Sequence, residues 1–159
     1  INTKPCMNAI EKNIDNIMGQ IDLIEIHNVD VMRLKTNVLE EWKTVKDRCK
    51  SLPKGKHLEL NRMLHATRAF DTGLRMFLEK HGGFRGDVPS IGGYIKDLQK
   101  KRSSLNQLNG NIADKINRSV TDIRNKYMHS ANSYPGKKET DQVLINILQY
   151  YHLILGLVR

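Results

Sequence analysis

The sequence predicts an all-α fold, an antiparallel bundle of about five to six helices. Three observations carry that expectation. Apolar residues recur at spacings of three and four through most of the chain, which is the helical period. Aromatic residues make up only 6% of the total and alternating β-branched runs are scarce, so no segment reads as a strand. Glycine, proline and asparagine collect between the periodic segments, where turns belong. A length of 159 residues fits one domain, 1–159, with enough interior to hold together without disulfides or metal staples.

The first helix is expected over residues 7–26, where Met7, Ile10, Ile14, Ile17, Ile21 and Ile24 keep to one face. Asn28-Val29-Asp30 interrupts the pattern, and Asp30 is the expected N-cap of a second helix. That helix places Val31, Leu34, Val38, Trp42, Val45, Cys49 and Leu52 on one stripe, so Trp42 reads as packing rather than as a platform for a base. Pro53 and Gly55 stop it, because proline withholds an amide and glycine accepts the turn.

A third helix is expected over residues 58–80. Its inner face is Leu60, Met63, Leu64, Thr67, Phe70, Leu74, Phe77, Leu78 and His81, with Arg62, Arg68 and Arg75 on the flanks. His57, His65 and His81 have no metal-ligand spacing and read as surface or partly buried residues. The glycine-rich loop 82–89 lacks the lysine and hydroxyl of a P-loop, so it reads as a connection between helices. Ser90 is the expected cap of a fourth helix, with Ile91, Tyr94, Ile95, Leu98, Leu105 and Leu108 inside and Lys96, Lys100, Lys101 and Arg102 outside. Asn109-Gly110-Asn111 breaks the chain again. Asn111 then caps a fifth helix, with Asp114 in its first turn and Ile112, Ile116, Val120, Ile123 and Tyr127 on its core stripe. After a loop over 130–138, Val143, Leu144, Ile147, Leu148, Tyr151, Ile154, Leu155 and Val158 mark a last apolar helix, expected to lie antiparallel to the fifth.

Lysine and arginine number 26 against 17 acids, a net charge of +9, which suits a polyanionic partner such as RNA. Cys6 and Cys49 stand far apart with no histidines to complete a set, so neither a disulfide framework nor a metal site is expected, and the chain reads as cytoplasmic. The longest near-apolar run, 153–158, is too short to span a bilayer, and residues 1–5 lack the apolar run of a signal peptide. No membrane partner is expected. A start at Ile1 fits a domain cut from a larger protein.

The chemistry concentrates in Ile123-Arg124-Asn125-Lys126-Tyr127-Met128-His129, at the end of the fifth helix. Arg118, Asp122, Asn125 and His129 lie opposite the core stripe, and Asn125 and His129, four apart, are neighbours whose side chains can bond and so set the imidazole tautomer. Arg124 and His129, five apart, point about 140° from each other on an ideal helix. Either the helix frays at His129 or a second chain completes the pair.

The run Arg124-Asn125-x-x-x-His129 resembles the Arg-x4-6-His signature of the HEPN superfamily, an all-α domain found in many ribonucleases. The order of elements agrees: the signature closes a helix, a polar residue follows the arginine, and a short loop leads to one last apolar helix. The resemblance covers residues 111–158 at motif level. It implies a four-helix core with extra helical segments and metal-independent cleavage of single-stranded RNA, with no cofactor, at a site shared by a homodimer. It also implies a toxin–antitoxin or antiphage setting, with an antitoxin or regulatory protein as partner. The catalytic residues expected are Arg124, Asn125 and His129. Two positions after the histidine, where the subfamily that pairs with a nucleotidyltransferase antitoxin has tyrosine, this chain has Ala131, so nucleotidylation of a tyrosine is not expected.

The residue types fit the task. An imidazole titrates close to neutral pH and can pass a proton, while the guanidinium fork can hold two phosphate oxygens as charge grows on them. Arg118 and Lys126, together with Lys96, Lys100, Lys101 and Arg102, are the expected contacts to the RNA backbone. A second reading belongs to a different class: a non-catalytic helical module that binds RNA, nucleotide or protein through the same basic surface.

Overall fold

A helix with one apolar stripe buries one side, whereas a helix surrounded by others needs small and apolar residues around most of its circumference. Helix α3 (Lys56–Lys80) is of the second kind. Besides Met63, Phe70, Leu74, Phe77 and Leu78 it buries Ala66, Ala69, Gly73 and Met76, residues outside the single stripe expected from periodicity, and Leu60 and Leu64 are only half-buried. It packs against four other helices, α2 (Val29–Lys46), α4 (Ile91–Lys101), α6 (Asp122–Met128) and α7 (Lys137–Val158). The structure, a computed structural model, describes residues 8–102, 104–105 and 111–158. Met7, Cys6, Leu108 and the break at Asn109-Gly110 lie outside them. Among the described residues there is no strand, and no helix is long and apolar enough to cross a membrane.

Helix α1 (Ala9–Asp22) starts where the Asn8 side chain accepts from the Glu11 amide, and it buries Ile14, Ile17 and Ile21. It runs antiparallel to α2, as the ion pairs Lys46–Asp15 (2.7 Å) and Lys50–Glu11 (3.2 Å) record. The cap of α2 is Asn28, not Asp30: the Asn28 Oδ1 accepts from the Val31 amide at 2.9 Å, and Asp30 falls in the first turn, where its charge faces the positive helix end. Trp42 is fully buried and belongs to the core. The helix gives way at Lys46 to a 3₁₀ turn, Arg48–Ser51, which keeps Cys49 inside but leaves Leu52 exposed, off the expected stripe.

The Ser90 hydroxyl accepts from the Gly93 amide and caps α4, as its sequence position suggests. Helix α4 ends at Lys101. Helix α5 (Ile112–Ile116) begins with the Asn111 carbonyl accepting from the Lys115 amide. The fifth helix is not uniform. A π-helical turn, Asn117–Thr121, separates α5 from α6, and the Asp122 amide reaches back five residues to the Asn117 carbonyl. Each element boundary there keeps right-handed helical dihedrals, so α5, the π turn and α6 form one continuous rod. Gly92 makes room for it: a Cβ on that residue would lie 2.9 Å from Asn117 Nδ2.

Helix α7 begins at Lys137, one residue before the expected loop ends, and buries all eight apolar residues assigned to its inner face. It is antiparallel to the α5–α6 rod, with Asn146 Nδ2 donating to the Ser119 carbonyl (3.3 Å) at the rod's middle and Tyr127 bonded to Glu139 near its C-terminal end.

Candidate active site

On an unbroken helix the stripe through Val120 continues through Ile123 and Tyr127, leaving Arg124 on a flank. A π turn adds a residue to one turn, so it rotates the remainder of the rod by about one position. Helix α6 therefore shares its inward edge between two sets. Ile123 and Tyr127 rest half-buried against the core, while Arg124 and Asn125 turn toward α3. No residue of α6 is fully buried.

Arg124 and Asn125 thereby form one wall of a groove of about 460 Å³ whose floor is the stripe Arg68, Asp71, Thr72 and Arg75 of α3. The stretch from Pro89 to Ile91 closes its end. Arg124 Nη1 donates to Asn125 Oδ1 at 3.0 Å. The Arg124 Nε and the Thr121 hydroxyl are buried without a protein partner. Arg68 is paired with Glu41 at 3.3 Å, but its side chain remains 64% exposed and free to reorient. Burial pushes the Asp71 carboxyl above its usual range, against the opposing pull of Arg75 and Arg124. Three guanidinium groups around one reluctant carboxylate make a site suited to an anion with several oxygens.

His129 is placed differently. It is the exposed C-cap of α6 (φ −109°, ψ 2°), its amide donating to the Asn125 carbonyl at 3.1 Å, and its ring is not part of the groove. The expected side-chain bond between Asn125 and His129 does not form, because the Asn125 oxygen is taken by Arg124 and His129 has left helical geometry. The helix does end at His129, one of the two arrangements the spacing allows.

The expected RNA contacts divide. Arg118 and Lys126 are exposed, the latter with its ammonium 5.1 Å from the Tyr127 ring centre. That phenol is pushed up to about 12 by its bond to Glu139, helped by burial. Lys96 and Lys100 are exposed and line a separate cleft of about 340 Å³ beside Asn117. Lys101 and Arg102 are not part of the exposed basic face. Lys101 turns in to Asp97 (3.1 Å, i,i+4), and Arg102 leaves the helix with φ −127° and ψ 102°. His81 Nε2 donates to the Val158 carbonyl at 2.9 Å, which leaves Nδ1 to accept from Arg102 at 3.3 Å. Burial, reinforced by Arg102, Lys80 and Lys101, holds His81 below the usual histidine range.

Sequence reasoning placed Arg68 and Arg75 on the flanks and passed over Asp71, Thr72 and Thr121. A signal for the α3 set was present: positions 68, 71, 72 and 75 follow helical spacing and are all polar. Nothing in the periodicity announces the π turn that brings Arg124 over them. Among the described residues no group of three or more His, Cys, Asp or Glu side chains comes together to hold a metal ion. No family model matches the sequence, and no curated protein and no solved structure matches the chain.

Proposed function

We propose that the chain is a HEPN-type endoribonuclease that cleaves single-stranded RNA without a metal, at a site completed by a second copy. The observation that carries the reading is the Arg124 guanidinium, its Nε buried and unpartnered, in a groove it shares with Arg68 and Arg75. A phosphate there would meet the Arg124 guanidinium and two further ones, which favours the dianionic charge of a pentacovalent phosphorane over the single charge of the starting diester. In the proposed reaction His129 draws the proton from a ribose 2′-hydroxyl, whose oxygen attacks the adjacent phosphorus. The bond from phosphorus to the 5′-oxygen breaks, the leaving oxygen takes a proton from water, the His129 imidazolium returns its proton to solvent, and a 2′,3′-cyclic phosphate remains. Asn125, bonded to Arg124, acts in this scheme by holding the guanidinium in place.

Within a protomer His129 lies outside the groove, so the scheme needs a second copy whose His129 meets the first copy's Arg124. A two-fold contact supplies both halves at once. Met128, an apolar side chain 42% exposed next to His129, suits such a contact. The proposed setting is RNA cleavage in toxin–antitoxin or antiphage defence, with an antitoxin or regulatory protein as partner.

The test is cleavage of labelled single-stranded RNA in EDTA, with the product ends identified. Cleavage to a cyclic phosphate, reduced at least ~10²-fold by His129→Ala and by Arg124→Ala, is the expected result. Strict dependence on a divalent cation refutes the mechanism. Sedimentation giving only the 18.3 kDa monomer at concentrations that cleave RNA refutes the shared site. The position of His129 outside the groove also favours a second reading, a non-catalytic module that binds RNA, nucleotide or protein. RNA binding without cleavage selects it.

A further inference from the structure

The loop after His129 does not trail into solvent. Thr121, Arg124 and Asn125 stand over the segment of α3 from Thr67 to Arg75, whereas Tyr134 and Pro135 stand over Lys56 and Leu58. From 121 to 135 the chain therefore runs toward the N-terminal end of α3. His129 sits on that path between two concave surfaces. Along the α3 axis Lys56 and Arg68 are about 18 Å apart, at 1.5 Å per residue.

The second surface is a cleft of about 480 Å³ between the turn before α3 and the Tyr134–Lys137 stretch, a size within the range of small-ligand pockets. The Tyr134 ring forms part of its wall, with the Lys56 ammonium 4.8 Å from the ring centre and the His57 ring edge-on at 5.2 Å. Lys54 and Lys56 are exposed and have no acidic partner among the described residues. Lys137, also at the rim, is tied to Asp141 at 2.7 Å. Glu59, the one acid lining the cleft, is neutralised by Arg62 at 2.8 Å. An aromatic wall with one exposed cation lying over its ring and a second at the rim is the combination that takes a nucleobase together with its phosphates, the base taking the ring face as Lys56 swings from it to a phosphate.

We propose that this cleft is a nucleotide subsite, in which a base of the single-stranded RNA stacks on Tyr134 while Lys54 and Lys56 hold the flanking phosphates. The proposal rests on the ribonuclease reading and adds a determinant of substrate length and register to it. The subsite accepts any base, because stacking uses a π face that every base has.

The test uses the His129→Ala chain, a labelled oligouridine, and an abasic ribose-phosphate oligomer of the same length, with binding read by fluorescence anisotropy. Adding Tyr134→Ala is expected to weaken oligouridine binding by about ten-fold and to leave the abasic oligomer unaffected. Tyr134→Phe is expected to keep both affinities. Lys56→Ala is expected to weaken both oligomers and to flatten the salt dependence. If Tyr134→Ala unfolds, Tyr134→Leu, which keeps apolar cover without a π face, takes its place against Tyr134→Phe. Equal affinity of Tyr134→Ala and its parent for oligouridine overturns the subsite, as does an equal loss for both oligomers. If the parent binds neither oligomer while the unmodified chain cleaves RNA, the subsite fails and the ribonuclease reading stands. If there is neither binding nor cleavage, both fail.

Discussion

Gly73 of α3 is the position at which a single methyl group has the most calculable effect. A Cβ placed there would lie 2.6 Å from Cζ and 2.8 Å from Cε1 of Tyr151, about 1 Å inside the roughly 3.5–4.0 Å at which carbon atoms rest against each other. The tyrosine cannot easily yield. It is fully buried, with its ring 5.4 Å from Phe77 and 6.1 Å from Phe70. Overpacking costs about 1–3 kcal/mol, and a contact this close to a fully buried ring belongs at the upper end, about 2–3 kcal/mol, while alanine returns about 1 kcal/mol through its helix propensity. The expected net loss for Gly73→Ala is about 1–2 kcal/mol, or about 2–8 °C in Tm for a chain of this length. Tyr151→Phe provides the control. The Tyr151 hydroxyl has no protein partner, so its removal is expected to leave stability unchanged or raise it. The ring carbons still meet the new methyl, so Gly73→Ala in the Tyr151→Phe background should remain destabilising. Circular-dichroism melts and urea titrations with an unchanged m-value read the effect. If Gly73→Ala melts at or above the parent temperature, α3 and α7 do not meet as described. The floor of the groove moves with them, since Asp71, Thr72 and Arg75 flank Gly73 on the same helix.

Three more expectations rest on the same geometry. Asp71→Asn removes a carboxylate whose burial already disfavours its charge, so the variant is expected to be at least as stable as the parent at neutral pH and to bind single-stranded RNA more tightly; weaker binding refutes the anionic-ligand reading of the groove. The raised Asp71 value also means that its contribution is fully present below the unfolded value of about 3.9 and declines as pH rises through the folded one, a dependence that Asp71→Asn abolishes. For His81 the sign is opposite. Its folded value is lowered, so its contribution is present above about pH 6.5 and lost as pH falls through the folded value, and His81→Gln is expected to flatten the melting temperature just below that pH. An unchanged slope refutes the assignment.

The legible part of the fold was the part governed by one-sided burial. The stripes of α1, α2 and α7 are plain in the sequence because each faces the core along one edge, and the Ser90 cap follows from a local bond between a hydroxyl and an amide. Helix α3 was half-legible: Ala66, Ala69 and Gly73 are too small to register as a stripe, yet they are what allow neighbours on several sides. The exchange of Asp30 for Asn28 as a cap is a choice between two good capping residues two positions apart, decided by where α2 begins. At the site, the motif residues could be named and the helix end at His129 anticipated. The partner of Asn125 could not, because the amide can meet either its neighbour Arg124 or His129 one turn on, and the departure of His129 from helical geometry leaves Arg124.

The two sides of the groove differ in how firmly they are held. Arg68 and Arg75 project from the most enclosed helix, between residues such as Ala69, Phe70 and Leu74 that are buried on all sides. Arg124 projects from α6, which buries no residue fully and is fastened by Ile123, by Tyr127 with its bond to Glu139, and by the π turn behind it. Local opening costs least where few apolar contacts are lost, so α6 is the side that can give. On the ribonuclease reading, a site that must clasp a phosphate and receive a histidine from the partner's copy of this helix benefits from that division. On that reading the firmly packed α3 backbone sets where the arginines start from, and the looser helix can settle onto the anion. On the dimer reading, a second copy packed on Met128 and His129 supplies the burial that α6 lacks. Substrate binding and pairing of the two chains then stabilise the same short helix, and each makes the other more favourable.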